Sequence, residues 1–392
     1  MMSRRLVLML AMCAAILACG ALANYLLNPY GVWQSRLVDP IFRKPKDEHV
    51  ALPYLVQTAT AHTLLVGSSR VAFGMRIDEL EGVGVLNAGI RAATIPQSCA
   101  IVHTALQNDH FKLIIWGVDF FAFNETWKDQ DREFERRLAG GLGSWLEDTL
   151  LSLSALDDGW ADMKRAMRGR AKLPVTATRT APWPPDLICN DFEATRHLGL
   201  IATPASEVKR QLSDDVPGYL QYHLSNAFLD LFRQTVERAR SQGVQVILFV
   251  PPMSEYELEL VRQSGQWRTF QNWKRALAAI GPLWDFSGYN QVAASDQFFM
   301  HIMHCKTAVG ETILRLLTGE SLPPCFTMSK VVADSAIRID RSNVDQALAL
   351  QDQMRASART DRRYVELAAA ALVYQHERMV RNRLLHATEP AR

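Results

Sequence analysis

Two adjacent hydroxyls stand directly behind a hydrophobic run in HTLLVGSSRVAFGM, residues His62 to Met75. The run Thr63–Gly67 reads as a buried strand that stops at Gly67-Ser68-Ser69-Arg70, and the residues beyond it read as a helix start. A serine hydroxyl is a poor nucleophile until a base takes its proton. The oxyanion formed by attack on an acyl carbonyl needs fixed donors, commonly backbone N–H groups at the start of a helix. Ser69 meets both needs: a strand ends before it, a helix begins at it, and His301 and His304 stand far downstream near another loop. The same Gly-Ser-Ser also fits plain turn chemistry, with a serine capping the helix.

Other chemistry-bearing residues fall at strand ends. Asn87 to Ala92 follow a short strand at Gly84–Asn87, Asp119 follows the apolar run KLIIWG, and Asp285 closes the last strand, Leu283–Phe286. In an open parallel sheet, functional groups collect beyond the carboxyl ends of the strands. Asp119 also reads as a simple cap, and His304 as an ordinary satisfied histidine. His301, His304 and Cys305 form an HxxHC cluster without a third ligand at helical spacing, and no CxxC occurs, so no metal is expected. No Gly-rich phosphate loop is present, and no cofactor is expected.

These groups need a scaffold. The clearest strand is Val244–Val250, stopped by Pro251-Pro252, and Lys112–Gly117 is nearly continuous in apolar residues. Runs apolar on both faces suit a parallel sheet covered by helices. Helices are expected at Ile95–Gln107, around Trp145–Leu156, from Leu224 to Gly243, at Trp267–Ile280 and at Thr307–Leu317. The alternation indicates an α/β three-layer sandwich with a doubly wound, parallel, flavodoxin-like sheet. Residues 57–320 form this domain, with an insertion at about 124–217, and residues 329–392 read as a helical C-terminal extension.

The chain has 392 residues, 48% hydrophobic and 21% charged, with a formal net charge of +2. That charge gives no case for nucleic acid. Arg4 and Arg5 precede an uncharged run from Leu6 to Leu27, and the next charge is Arg36. The run reaches the length needed to cross a bilayer, and the flanking arginines favour a cytoplasmic N-terminus. Residues 1–30 are therefore read as a membrane anchor or signal segment. Cleavage after Ala21-Leu22-Ala23 competes with an uncleaved anchor, and Ile16-Leu17-Ala18-Cys19 is a lipoprotein-like alternative. The uncleaved reading places a single-pass protein in the inner membrane with its main domain in the periplasm. Disulfides among Cys99, Cys189, Cys305 and Cys325 are permitted there.

Taken together, these blocks resemble the SGNH, or GDSL-like, hydrolase superfamily. They are most similar to its membrane-anchored envelope branch, which includes alginate O-acetylation proteins and the D-alanyl transfer protein of teichoic acid. The resemblance rests on Gly67-Ser68-Ser69, on Asn87-Ala88-Gly89-Ile90-Arg91-Ala92, on Gly117-Val118-Asp119-Phe120-Phe121 and on His301-Ile302-Met303-His304. Asn28-Pro29-Tyr30-Gly31 behind the anchor adds to it. The likeness covers about the first 320 residues. It implies that Ser69 is the nucleophile and His304 the base, with the N–H groups of Ser69 and Ala92 as oxyanion donors and Asn87 and Asp119 lining the site. The family's orienting Asp is His301 here, its block-two Gly is Ala92, and its block-three Asn is Asp119. Asp285 and Asp296 are the carboxylates considered as replacements for the missing orienter. The implied substrate is an acyl ester on a surface glycan, with an envelope acyltransferase as partner. The alternatives are an inactive SGNH-like protein that binds glycan or scaffolds an export assembly, and a flavodoxin-like nucleotide binder.

Overall fold

The computed structural model describes residues 4–33, 35, 37–38, 48–75, 79–80, 83–127, 133–169, 218–301, 303–322, 326–357 and 362–387. Cys189, Cys325, residues 170–217 of the expected insertion and the side chain of His301 lie outside them.

The core is a seven-stranded sheet in the order β2-β3-β1-β4-β5-β6-β9. Its strands are β1 (Thr63–Gly67), β2 (Glu79–Leu80), β3 (Val83–Gly89), β4 (Leu113–Gly117), β5 (Gln245–Val250), β6 (Leu283–Asp285) and β9 (Ile337–Ile339). β3, β1, β4, β5 and β6 are mutually parallel. Counted among themselves, these five have the order 2-1-3-4-5 of flavodoxin-like doubly wound sheets. Both edges depart from the all-parallel expectation, because β2 and β9 run antiparallel to their neighbours. β9 belongs to the segment expected to be helical throughout. Three residues are too few to leave a periodic signal among helices.

Alternation along the strands splits the core into two. Leu64, Val66, Ile114, Trp116, Leu248 and Val250 face one apolar layer, and Leu65, Ile115 and Phe249 face the other. The first layer is covered by α2 (Glu48–Thr58), α4 (Ile95–Ala105), α8 (Asn226–Ser241), α9 (Glu255–Gln263) and α10 (Trp267–Ile280). The second is covered by α3 (Ser69–Gly74), α11 (Thr307–Thr318) and α12 (Phe326–Asp334). The result is the three-layer α/β arrangement expected from strands apolar on both faces. α13 (Val344–Ser357) and α14 (Arg362–Ala387) complete the C-terminal region.

α1 (Arg4–Leu27) is one uninterrupted helix of 24 residues, long and apolar enough to cross a membrane. The helix expected around Trp145–Leu156 is in fact two, α6 (Leu142–Thr149) and α7 (Leu153–Met167). Ser152 divides them, because its hydroxyl caps α7 by accepting from the N–H of Ala155. α5 (Glu133–Ala139) precedes the pair.

Candidate active site

The strand order reverses beside β1, with β3 on one side and β4 on the other. Ligands of doubly wound sheets bind in the crevice at such a switch point. The chain leaves β1 at Gly67 and turns at once into α3, with Ser68 as N-cap and Ser69 as the first helical residue. The Ser68 hydroxyl accepts from the N–H of Arg70 at 3.2 Å. Of the two serines, Ser68 therefore does the capping, which leaves the Ser69 hydroxyl for another partner. The N–H of Ser69 is one of the donors a helix cannot satisfy from within.

α3 is short and is held by close backbone approaches. A Cβ on Gly89 would collide with the backbone of Ala72, and one on Gly310 with the carbonyl of Gly74. Asn87 fastens the helix from the side. Its Nδ2 donates to the carbonyls of Val71 (3.1 Å) and Met75 (2.6 Å), and its Oδ1 accepts from the N–H of Gly89 (3.0 Å). Asn87 thus positions the elbow rather than presenting its amide to a substrate. Gly89→Ala is expected to cost about 1–3 kcal/mol through overpacking. It should lower activity more than thermal stability, because the helix that moves carries Ser69. Melting temperature and turnover measured on one sample separate the two effects.

The histidine comes from the other end of the chain. β7 (Phe299–His301) and β8 (His304–Cys305) form a small antiparallel pair in which His301 and His304 are partners. His304 is buried, and its Nε2 lies 2.7 Å from the Ser69 Oγ. The Phe73 ring, one turn along α3, meets the imidazole edge-on at 5.1 Å between centroids. A serine hydroxyl can donate to Nε2 at this distance when the ring proton is on Nδ1. Next to it, burial pushes the Cys305 thiol up to about 12, so it is not a thiolate at neutral pH.

The loop after β3 carries Ala92, exposed and in the left-handed region at φ 55°. A non-glycine residue there is strained and needs its surroundings to hold it. The surroundings do so. Arg91 donates from its N–H (2.9 Å) and its Nε (2.6 Å) to the Glu48 carboxylate. The Ala92 carbonyl accepts from Trp127 Nε1 at 2.9 Å. Thr94 and Gln97 close a capping box at the start of α4.

Asp119 is buried and forms an ion pair with Arg70, Nε to Oδ1 at 3.3 Å. The Arg70 guanidinium also grips both oxygens of Glu257 at 2.5 Å, and the Tyr219 hydroxyl donates to Glu257 at 3.1 Å. One buried cation, on the residue directly after Ser69, thus sits between two buried carboxyls. Burial raises Asp119 above the usual carboxylate range, against the pull of the Arg70 charge and the Ser68 hydroxyl. Burial raises Glu257 as well, opposed mainly by Arg70. Sequence reasoning missed Arg70, Glu257 and Tyr219. The available signal was an arginine next to the elbow serine, facing the acidic pattern of Glu255 and Glu257 after the Pro-Pro stop.

Asp285 and Asp296, considered as orienters of His304, are committed elsewhere. Asp285 accepts from Lys274 (2.7 Å), Gln351 (2.8 Å), and the N–H and hydroxyl of Ser287 (2.9 and 2.6 Å). This buried network ties the end of β6 to α10 through Lys274 and to α13 through Gln351. Asp296 accepts from the Tyr364 hydroxyl at 2.6 Å. Cys99 and Cys305 are free thiols. Among the described residues, no group of three His, Cys, Asp or Glu is arranged to hold a metal.

Comparison with protein-family models, with curated proteins and with solved structures finds no match.

Proposed function

We propose that the chain is a membrane-anchored serine esterase or O-acyltransferase of SGNH type, acting on acyl esters of a cell-envelope glycan. The observation that carries the reading is the 2.7 Å contact between Ser69 Oγ and His304 Nε2 at the switch point of the sheet. These two residues lie 235 positions apart, and a capping role for Ser69 does not require the histidine. In this reading His304 takes the Ser69 proton as Oγ attacks the acyl carbonyl carbon. The oxyanion is held by the N–H groups of Ser69 and Ala92. His304 then protonates the departing alkoxide, leaving an acyl group on Ser69. Water releases that group as the free acid, or a glycan hydroxyl accepts it, with His304 removing the incoming proton. α1 holds the domain at the outer face of the inner membrane, where a surface glycan and a partner acyltransferase are within reach.

The second reading, an inactive glycan-binding or scaffold protein, draws on Asp285 and Asp296, whose hydrogen-bond partners are Lys274, Gln351 and Ser287 for the first and Tyr364 for the second. Turnover of an aryl acetate by the full chain separates the two. The enzyme reading expects measurable hydrolysis, and expects His301→Asp to recover part of the roughly 10⁴-fold that an orienting carboxylate contributes. A folded wild type and a folded His301→Asp variant that both match the uncatalysed rate would favour the scaffold.

A further inference from the structure

The end of α1 packs against the α6–α7 junction and the first half of α7. Asn24 is buried, and its Nδ2 donates to the carbonyls of Leu150 (2.7 Å) and Ser152 (2.9 Å). Leu27 lies against Gly159 so closely that a Cβ there would come within 2.8 Å of it. The Tyr30 hydroxyl lies 3.4 Å from the Asp158 carboxylate. Between the first two contacts α1 advances three residues, about 4.5 Å along its axis, and α7 seven residues, about 10 Å. The two helices therefore advance by different amounts between these contacts.

Among the described residues, α7 has an apolar side that is exposed. Leu153 is 83% exposed, Trp160 50% and Met167 66%. They recur every seven residues and so share one face. Lys164 lies on the same side, 5.7 Å over the Trp160 ring, and Arg168 is exposed at the helix end. Asp157 is exposed within the stripe. The stripe is continuous with exposed apolar residues of α1. An open cavity of about 640 Å³ between them is lined by Ala23, Leu26 and Leu27 on one side and Leu153, Leu156 and Trp160 on the other, with Asp157 as its one charged residue.

Distance along α1 fixes where this surface sits. Arg4 to Asn24 spans about 30 Å of helix, the thickness of a bilayer's hydrocarbon layer. With Arg4 and Arg5 at one headgroup layer, Asn24 and the start of α7 reach the other. Tyr25 and Trp160 then lie at the depth where aromatic residues are enriched.

We propose that α7 lies in the headgroup layer of the membrane that α1 crosses, with Leu153, Trp160 and Met167 dipping into the bilayer and the cleft beside Leu26 occupied by a lipid acyl chain. Asp157 keeps the contact shallow, and Lys164 and Arg168 meet lipid phosphates. The proposal rests on the reading of α1 as a membrane span. Its consequence is a domain held at a fixed height and tilt. Tyr30 packs with Ala51, one turn of α2 from the Glu48 that holds the Arg91–Ala92 loop, so the candidate site lies near the membrane.

The test attaches an environment-sensitive fluorophore to the full chain in vesicles of phosphatidylcholine and phosphatidylglycerol. The background carries Cys13→Ser, Cys19→Ser, Cys189→Ser and Cys325→Ser, and keeps the buried Cys99 and Cys305. Leu10→Cys reports on the span, Trp160→Cys and Met167→Cys on α7, and Ser241→Cys on the surface before β5. Nitroxide lipids labelled near the headgroup should quench positions 160 and 167, those labelled deep in the chain should quench position 10, and neither should quench position 241. Quenching at 10 with 160 and 167 behaving like 241 overturns the proposal while leaving the span intact. No quenching at 10 removes the span itself, and the proposal with it.

Discussion

Ser69→Ala and His304→Ala are each expected to lower acyl-ester turnover by on the order of 10²-fold, what is left to a serine–histidine pair without its orienting carboxylate, and the double variant to be no worse than either single one. Residues that act as one nucleophilic unit are grossly non-additive, because removing either already removes the covalent route. Ser68→Ala provides the contrast. Its hydroxyl caps α3 through the N–H of Arg70, so its loss should cost about 1 kcal/mol of stability and leave most of the turnover. A purely structural serine pair would give no such contrast, with Ser68 and Ser69 variants alike in turnover. Steady-state kinetics and thermal melts on the four proteins decide the matter.

Arg70→Leu is expected to be the most destabilising single change near the site, by about 3–5 kcal/mol. Removing the cation of a buried ion pair leaves its partner's charge uncompensated, and here two carboxyls, Asp119 and Glu257, lose the same guanidinium. The pH dependence has a definite sign. Burial raises both carboxyls in the folded protein, so the folded state holds protons more tightly than the unfolded chain. Stability from this source is full below the ordinary carboxylate range and falls as pH rises through the raised values. The Arg70→Leu deficit should therefore shrink in acid and grow toward neutral pH. Urea midpoints at a series of pH values measure it. A deficit independent of pH would mean that lost packing, not charge, is responsible.

The parallel strands were legible because burial on both faces leaves nearly unbroken apolar runs, as in Thr63–Gly67 and Leu113–Gly117. The flanking helices showed through their spacing and stops, Trp267–Ile280 among them. β2 and β9 were not legible, because two or three residues cannot show a period. The break at Ser152 was missed because a cap competes with helix continuation through one local hydrogen bond. Ser69 and His304 were singled out by their places in a pattern of blocks, while their contact depends on how the sheet folds. The Arg70–Glu257 pair spans 187 positions, so its two local signals, the arginine beside the elbow serine and the acidic residues after Pro251-Pro252, are joined only by the folded chain. Asp285 illustrates the opposite error. It stands at a strand end where site residues collect, yet Lys274 and Gln351 claim it for structure.

The central claim, that Ser69 is a nucleophile activated by His304, is tested most directly by mapping the adduct of a fluorophosphonate probe. Wild-type protein is labelled, digested and sequenced by tandem mass spectrometry, alongside His304→Ala and Ser68→Ala. The account predicts a phosphonyl group on the Ser69 peptide at the Ser69 side chain, retained in Ser68→Ala and lost in His304→Ala. Label on Ser68, or label on Ser69 that is indifferent to the loss of His304, would contradict it.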